Sequence, residues 1–361
     1  MEALVKPPLP SVQFWNGQRV FMTGHTGFKG GWMALWLRTL GAKVCGYSLP
    51  PSTDPSLFRL LHLDRQVESQ IGDVRDDALL RRSFETFDPT VVVHLAAQPL
   101  VRASYADPVG TYEVNVVGTA RVLEVCRASR AAAVLVVTSD KCYQNREQIW
   151  SYRETDRLGG SDPYSASKAC AEIVAQSYWS SFLSAECPGC NLGTVRAGNV
   201  FGGGDWSPDR LVPDLMRDFA EGRTAVLRSP DSVRPWQHVL DPLCGYLLAI
   251  ERLCHGPATP GPLAWNFGPD ERSNVSVAAL ARLLADAWGG DAMFEAHPEA
   301  GAPHESTHLT VDSTKARQEL GWHARWPLET GLRKTAEWYR AYSHGSNMLA
   351  LSGRQLIEYA S

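Results

Sequence analysis

The feature that most restricts the fold is an apolar strand that runs straight into glycines and then into an apolar helix. Val20-Phe21-Met22-Thr23 leads into Gly24-His25-Thr26-Gly27-Phe28-Lys29-Gly30-Gly31, and Trp32-Met33-Ala34-Leu35-Trp36-Leu37 continues as a helical run. Glycines at this spacing let the main chain turn tightly and approach a pyrophosphate, whose charge then meets the free N–H groups of a helix N-terminus. The next strand, Lys43-Val44-Cys45-Gly46-Tyr47, completes a strand, helix, strand unit. Glycine spacing alone is weak evidence; in this setting it predicts a dinucleotide-binding fold.

Apolar strands and amphipathic helices go on alternating to about Val195, the organisation of an α/β protein with a doubly wound parallel sheet. Thr90-Val91-Val92-Val93-His94-Leu95 and Ala133-Val134-Leu135-Val136-Val137-Thr138 are apolar on both faces, as buried parallel strands are. Their carboxyl ends carry Ala96-Ala97-Gln98 and Ser139-Asp140-Lys141. Ligands of such sheets bind at those ends, so both stretches are expected to face a nicotinamide. The helix holding Asn115 and Gly118 is expected to serve packing. From Asn199 the pattern changes to the loop Gly202-Gly203-Gly204-Asp205-Trp206-Ser207-Pro208 and a helix start at Leu211. A dinucleotide-binding domain is therefore expected over 1–195 and a smaller C-terminal substrate lobe over 196–361, with the segment near 236–265 returning to the first domain.

Tyr164 and Lys168 stand four apart on a predicted helix and share a face. An ammonium there favours ionisation of the phenol; moving a Tyr pKa from about 10 to near 7 takes roughly 4 kcal/mol, part of which a cationic nicotinamide can supply. Ser139-Asp140-Lys141 adds a hydroxyl, an acid and an amine, which is more than hydride transfer needs. The second strand ends in Tyr47-Ser48-Leu49-Pro50-Pro51, with no acid to hold a ribose, and so does not decide between NAD and NADP. His25 and Lys29 are open to two readings, contact with the ribose or a phosphate, or a solvated loop edge. Asp73, in Gly72-Asp73-Val74, is placed either for the adenine amino group or as a plain turn aspartate.

The 361 residues, 44% hydrophobic and 20% charged, suffice for a large core. A net charge of −4 gives no reason to expect nucleic-acid or membrane partners. No apolar run has signal-peptide or membrane-spanning length, and a cytoplasmic protein is expected. Cys187-Pro188-Gly189-Cys190 lacks a second ligand pair and is taken as unpaired thiols. His304 and His308 flank Glu305 but follow Pro303, which argues for a loop rather than a zinc helix; no metal is expected.

Thr23-Gly24-x-x-Gly27-x-x-Gly30, His94-Leu95-Ala96-Ala97-Gln98, Asn115-Val-Val-Gly118 and Tyr164-x-x-x-Lys168 together resemble the extended short-chain dehydrogenase/reductase family that acts on nucleotide sugars. Three stretches are similar to its branch of 4,6-dehydratases for CDP-glucose: Phe14 to Gly30, Val137 to Tyr143, and Arg196 to Trp206. The resemblance implies a Rossmann fold, CDP-glucose as substrate and NAD as cofactor. It also implies a homodimer formed by helices near Val116–Arg127 and Ala169–Phe182. Implied cofactor contacts are Gly24, His25, Gly27, Phe28, Lys29 and Gly30 in the loop, Ser48, Asp73 and Val74 beyond it, and Leu95, Ala96, Ala97, Tyr164 and Lys168. Gln98, Asn199 and Arg234 are the implied substrate contacts, the last two at the diphosphate, where a guanidinium offers several donors. Tyr164 is implied as the base at O4, with Ser139 orienting that oxygen. Asp140 is implied as the acid at the C6 hydroxyl and Lys141 as the base at C5, made neutral by nearby positive charge and partial burial. A 4-epimerase, another nucleotide-hexose 4,6-dehydratase, a carbonyl reductase and a noncatalytic dinucleotide sensor are the rivals. The epimerase has no need of an adjacent acid and base for elimination, the reductase would consume cofactor stoichiometrically, and the sensor would need only the glycine loop.

Overall fold

Short runs of Val, Ala and Leu, buried on both faces, build the centre of a seven-stranded sheet. Its strands are β1 (Arg19–Thr23), β2 (Lys43–Ser48), β3 (Glu68–Ile71), β4 (Val91–His94), β5 (Ala133–Val137), β6 (Asn191–Ala197) and β7 (Leu263–Phe267). They lie in the order β7-β6-β5-β4-β1-β2-β3, every pair parallel. The computed structural model describes residues 7–256, 261–290, 292–297 and 309–361, so the expected loop at His304 and His308 lies outside the described residues.

The chain order reverses between β1 and β4, and a doubly wound sheet opens its ligand crevice at such a reversal, beyond the strand carboxyl ends. Strand alternation divides the core in two. Val91, Val93 and Leu135 face one apolar cluster, while Val92, Val134 and Val136 face the other. The first cluster continues without a break into Leu215, Trp236 and Trp338 of the C-terminal half. Two of the helices that cover the sheet are α1 (Phe28–Thr39) and α2 (Pro163–Tyr178). A third, α3 (Leu240–His255), is buried along most of its length, packs on β5 and β6, and leads to β7 at the sheet edge. Small paired strands build the remainder: Val233–Pro235 antiparallel to Asn274–Ser276, and Ala225–Leu227 parallel to Phe294–Ala296. No helix among the described residues is long and apolar enough to cross a membrane.

Helix α2 starts where Asp162 accepts a bond from Ser165 N at 2.9 Å, with Pro163 in the first turn. It is held on the sheet by a buried ion pair. Arg196 of β6 donates to Glu172 of α2 from Nε (2.9 Å) and Nη2 (2.8 Å), and Thr138 and Thr194 hydroxyls also donate to that carboxylate. Burial pushes the Glu172 carboxyl up, and Arg196 with the two hydroxyls brings it back below its ordinary value. Removing one partner strands the other charge. Glu172→Ala should lose about 3–5 kcal/mol of unfolding free energy in denaturant titrations, while the joint change of Glu172→Leu and Arg196→Met should recover much of that. A parent-like midpoint for Glu172→Ala would show that the pair does not hold α2.

Candidate active site

The glycine loop after β1 is shaped by two kinds of contact. Gly24 has φ +80, and a Cβ on Gly30 would lie 2.0 Å from Gly24 O, so these positions are closed by the protein's own backbone. Gly27 differs. A Cβ there would meet only Gly24 O, at 3.5 Å, so the protein leaves open space at the N-cap of α1. The first-turn N–H groups of Phe28 and Lys29 have no helical acceptor and point out of the helix end. An open cradle with free donors at a helix N-terminus fits a dinucleotide pyrophosphate.

His25 is neither exposed nor basic here. Its Nε2 is 2.7 Å from Ser69 Oγ, its ring fills the space a Cβ on Gly46 would need, and burial lowers its pKa to about 4. The solvated-edge reading of His25 is thus corrected; its imidazole fastens the loop to β2 and β3. Ser48 Oγ lies 2.8 Å from Thr26 Oγ1 at the end of β2. Asp73 bonds Arg75 through Nη2 at 2.7 Å, and this pairing holds its carboxyl below the ordinary value. Val74 is buried and packs against Gly118.

Leu95, Ala96 and Ala97 leave β4 over a polar brace. Leu95 N and Ala96 N donate to Thr23 Oγ1, at 3.2 and 3.1 Å. His94 sits between Thr23 Oγ1 (2.7 Å) and Thr119 Oγ1 (3.0 Å). The Thr119 hydroxyl donates to Asn115 O, so it must accept from His94 Nε2–H, and Nδ1 accepts from Thr23. Burial and the Lys168 charge bring His94 to about 3, hence a neutral ring. Asn115 does more than pack. Its amide accepts from Gln98 N at 2.8 Å, and donates to Gln98 O at 3.1 Å and to Ser167 Oγ at 2.8 Å, joining this loop to α2.

The acid, amine and phenol converge as a group. Ser139 caps a single turn, Asp140–Cys142, accepting from Lys141 N at 3.2 Å and donating to Asp140 Oδ1 at 2.9 Å. Asp140 is buried, its Oδ2 has no partner, and burial holds its carboxyl above the ordinary value against the pull of Lys141, Ser139 and Lys29. Tyr164 is not pre-ionised. Burial pushes its phenol to about 12, the nearby Ser139 hydroxyl offsetting part of this. The expected help from Lys168 is missing for a geometric reason: its Nζ donates to Val137 O at 3.3 Å, and burial lowers its own pKa to about 8.

Ser139, Asp140, Lys141, Tyr164, Asn199 and Arg234 line one cavity of about 580 Å³. Arg234 is buried on the strand Val233–Pro235. Gln98 is not brought to this wall. Its Nε2 donates to Thr111 Oγ1 at 3.0 Å and its Oε1 accepts from Leu100 N at 2.6 Å, so both ends of the amide are used inside the loop. Gln98 as a substrate contact is corrected to a loop brace, and Pro99, Leu100 and Arg102 take its place on the cavity wall. Sequence reasoning also passed over Arg210, which pairs with buried Asp205 at 3.0 Å on the same wall. The available signal was Asp205, an acid in the glycine-rich loop five residues before Arg210. Lys29, expected at the cofactor or in solvent, lines the cavity as well. Among the described residues no group of three or more His, Cys, Asp or Glu gathers as a metal site, and Cys187 and Cys190 are free thiols.

The sequence model of GDP-mannose 4,6 dehydratase matches residues 21–335. A CDP-glucose 4,6-dehydratase of Salmonella typhimurium is 47% identical over 96% of this chain and 98% of its own. A dTDP-glucose 4,6-dehydratase of the same organism is 26% identical over 76% of this chain and 79% of its own. Among solved structures, the dTDP-glucose 4,6-dehydratase DesIV of Streptomyces venezuelae, with NAD and TYD bound, has a TM-score of 0.77 at 25% identity, covering 92% of this chain and 99% of its own. A UDP-glucose 4-epimerase of Thermotoga maritima shares the fold, with a TM-score of 0.77 at 22% identity over 90% of this chain and 99% of its own.

The two kinds of loop glycine predict two kinds of damage. Gly27→Ala should fold with a near-parent melting temperature yet bind NAD at least about tenfold more weakly, because its methyl fills the cradle. Gly30→Ala should melt lower even without cofactor. Calorimetric titration and thermal melts of both variants check this, and unchanged NAD binding in Gly27→Ala would contradict the cradle.

Proposed function

This chain belongs to the GDP-mannose 4,6 dehydratase family, and on that footing we propose that it is the lyase that converts CDP-D-glucose to CDP-4-dehydro-6-deoxy-D-glucose and water. The observation that carries the elimination half is Asp140. It is a buried acid with a raised pKa and an unpartnered oxygen, next in sequence to Lys141 and on one wall with Tyr164. A 4-epimerase would use Tyr164, Lys168 and Ser139 and leave that acid without a task. Bound NAD supplies positive charge beside the phenol, the acceptor that oxidises C4 and the donor that later reduces C6.

Tyr164, once ionised, takes the proton of the C4 hydroxyl, and Ser139 holds that oxygen by a hydrogen bond. The ketone formed at C4 acidifies the C5 hydrogen, which Lys141 removes as base. The electron pair left on C5 forms the C5–C6 double bond as the C6–O bond breaks, and Asp140 gives its proton so that water departs. Reduction at C6 and return of the proton to C5 complete the product. Lys168 holds the cofactor ribose and the end of β5, while Asn199 and Arg234 bind the diphosphate. Ser48, Asp73 and Val74 line the adenosine end of the cofactor site.

The protein works as a homodimer in the cytoplasm. Val117 and Ile173, on the helical segments proposed to pair, are 46% and 55% exposed, apolar surface that the pairing would cover. Sedimentation should give a dimer at micromolar concentration, and Val117→Glu with Ile173→Glu should shift it to monomer; a monomeric parent would contradict this.

Oxidation and elimination separate by mutation. Asp140→Asn and Lys141→Met should both keep the first oxidation at C4 and slow water loss on the order of a hundredfold to ten-thousandfold. Reduced-nicotinamide absorbance should then build up in a single turnover. Exchange of the C5 hydrogen with deuterated water should persist in Asp140→Asn and vanish in Lys141→Met. Parent-rate exchange in Lys141→Met would remove Lys141 as the base.

A further inference from the structure

Lys29 stands in the first turn of α1, where the backbone N–H groups face the phosphate cradle, yet its side chain goes elsewhere. It joins Ser139, Asp140 and Tyr164 on the cavity wall, and its Nζ stands 5.9 Å from the centroid of the Tyr246 ring. The charges that bear on it are Arg210 and Lys168, which disfavour its ammonium, and Asp140 and Asp205, which favour it. Among the described residues it forms no ion pair. Around it two buried polar atoms have no partner: Asp140 Oδ2 and the Tyr246 hydroxyl, itself within electrostatic reach of Asp140 and Tyr164. A lysine, a carboxyl and two phenols therefore converge beside the substrate wall.

We infer that Lys29 acts through Asp140, its ammonium stabilising the carboxylate that Asp140 becomes when it gives its proton to the departing C6 hydroxyl. This rests on Asp140 being that acid. Burial favours the neutral acid before elimination. Afterwards the same burial surrounds an anion, which is costly unless cations already stand near it, and Lys141 and Lys29 are the two whose charge draws this carboxyl toward its ionised form. Charge fixed in advance where new charge develops lowers the barrier without reorganisation. The step balances. The C5 proton goes to Lys141, the C5–H pair becomes the C5–C6 double bond, the C6–O pair leaves on oxygen, the Asp140 proton completes water, and Lys29 neither gains nor loses a proton. Burial brings Lys29 to about 8, where its ammonium form still dominates at neutral pH. Lys29 is thus a positioning residue for the acid, a role separate from that of the helix turn that carries it.

The test uses the whole chain with Lys29→Met, Lys29→Gln and Lys29→Arg, on CDP-glucose and on CDP-6-deoxy-6-fluoroglucose, whose fluoride leaves without a proton. Loss of water or fluoride is read by mass in single turnovers, NAD affinity by titration, and folding by circular dichroism. Lys29→Met and Lys29→Gln should lose water about a hundredfold more slowly than the parent, with C4 oxidation within about threefold, and Lys29→Arg should regain most of the rate. On the fluoro substrate the deficit should shrink to within about threefold, as it should for Asp140→Asn. Equal slowing on both substrates, or a change confined to NAD affinity, would overturn the coupling to Asp140. If Asp140→Asn itself loses water at the parent rate, the acid assignment fails first, whatever Lys29 does.

Discussion

The catalytic face depends on the ion pair between Glu172 and Arg196. Both side chains are 4% exposed, and taking such charges out of water is costly unless every lone pair and proton is matched. Here the carboxylate receives Arg196 twice, Thr138 and Thr194, while Arg196 Nη1 goes on to the Tyr143 hydroxyl at 2.7 Å. These partners sit on α2, at the ends of β5 and β6, and just beyond the Ser139 turn. One saturated cluster therefore fixes the helix bearing Tyr164 and Lys168 against the strand ends bearing Ser139 and Asp140. Glu172 lies one helical turn past Lys168, so the anchor and the reactive groups share one rigid element.

Burial is the second constraint, and it acts on Lys29, Asp140, Tyr164 and Lys168 in the direction of neutrality. The Tyr164 phenol rises to about 12, Lys168 and Lys29 fall to about 8, and Asp140 is held above its ordinary value. A site so arranged holds its protons until charge is added. That suits the proposed sequence of steps, in which Tyr164 ionises first and Asp140 keeps its proton until the C6–O bond breaks. His94 and His25 follow the same rule but do not face the reaction. Both are neutral buried imidazoles that brace loops, one between β1 and the Asn115 helix, the other between the glycine loop and β3.

Much was legible before any coordinates. The glycine loop, the doubly apolar runs of β4 and β5, and the reversal they imply are local patterns, because main-chain sterics and strand alternation act over a few residues. Ser139, Asp140, Lys141 and Tyr164 were legible for the same reason: they stand at element ends that such a sheet must gather. Gln98 was misjudged since position after a strand says where a backbone goes, and not which neighbour takes the side chain. Thr111 and Leu100 N took it. Asn115 looked like packing since an amide within an apolar helix has no signature until its partners, Gln98 and Ser167, are known.

By itself, then, the sequence determined the sheet type, the glycine loop and which residues stand at the strand and helix ends, all consequences of short-range periodicity and backbone geometry. Tertiary structure alone decided where long side chains went. Lys29 has a flexible stem that can reach a phosphate, solvent or the substrate wall from one Cα, and only the packing of α1 against α3, which brings Tyr246 beneath it, selects the last. It likewise decided that Lys168 turns to Val137 O and that Arg234, seventy residues downstream of Tyr164, shares a cavity with it. Such choices rest on contacts between segments far apart in the chain, and no local pattern encodes them.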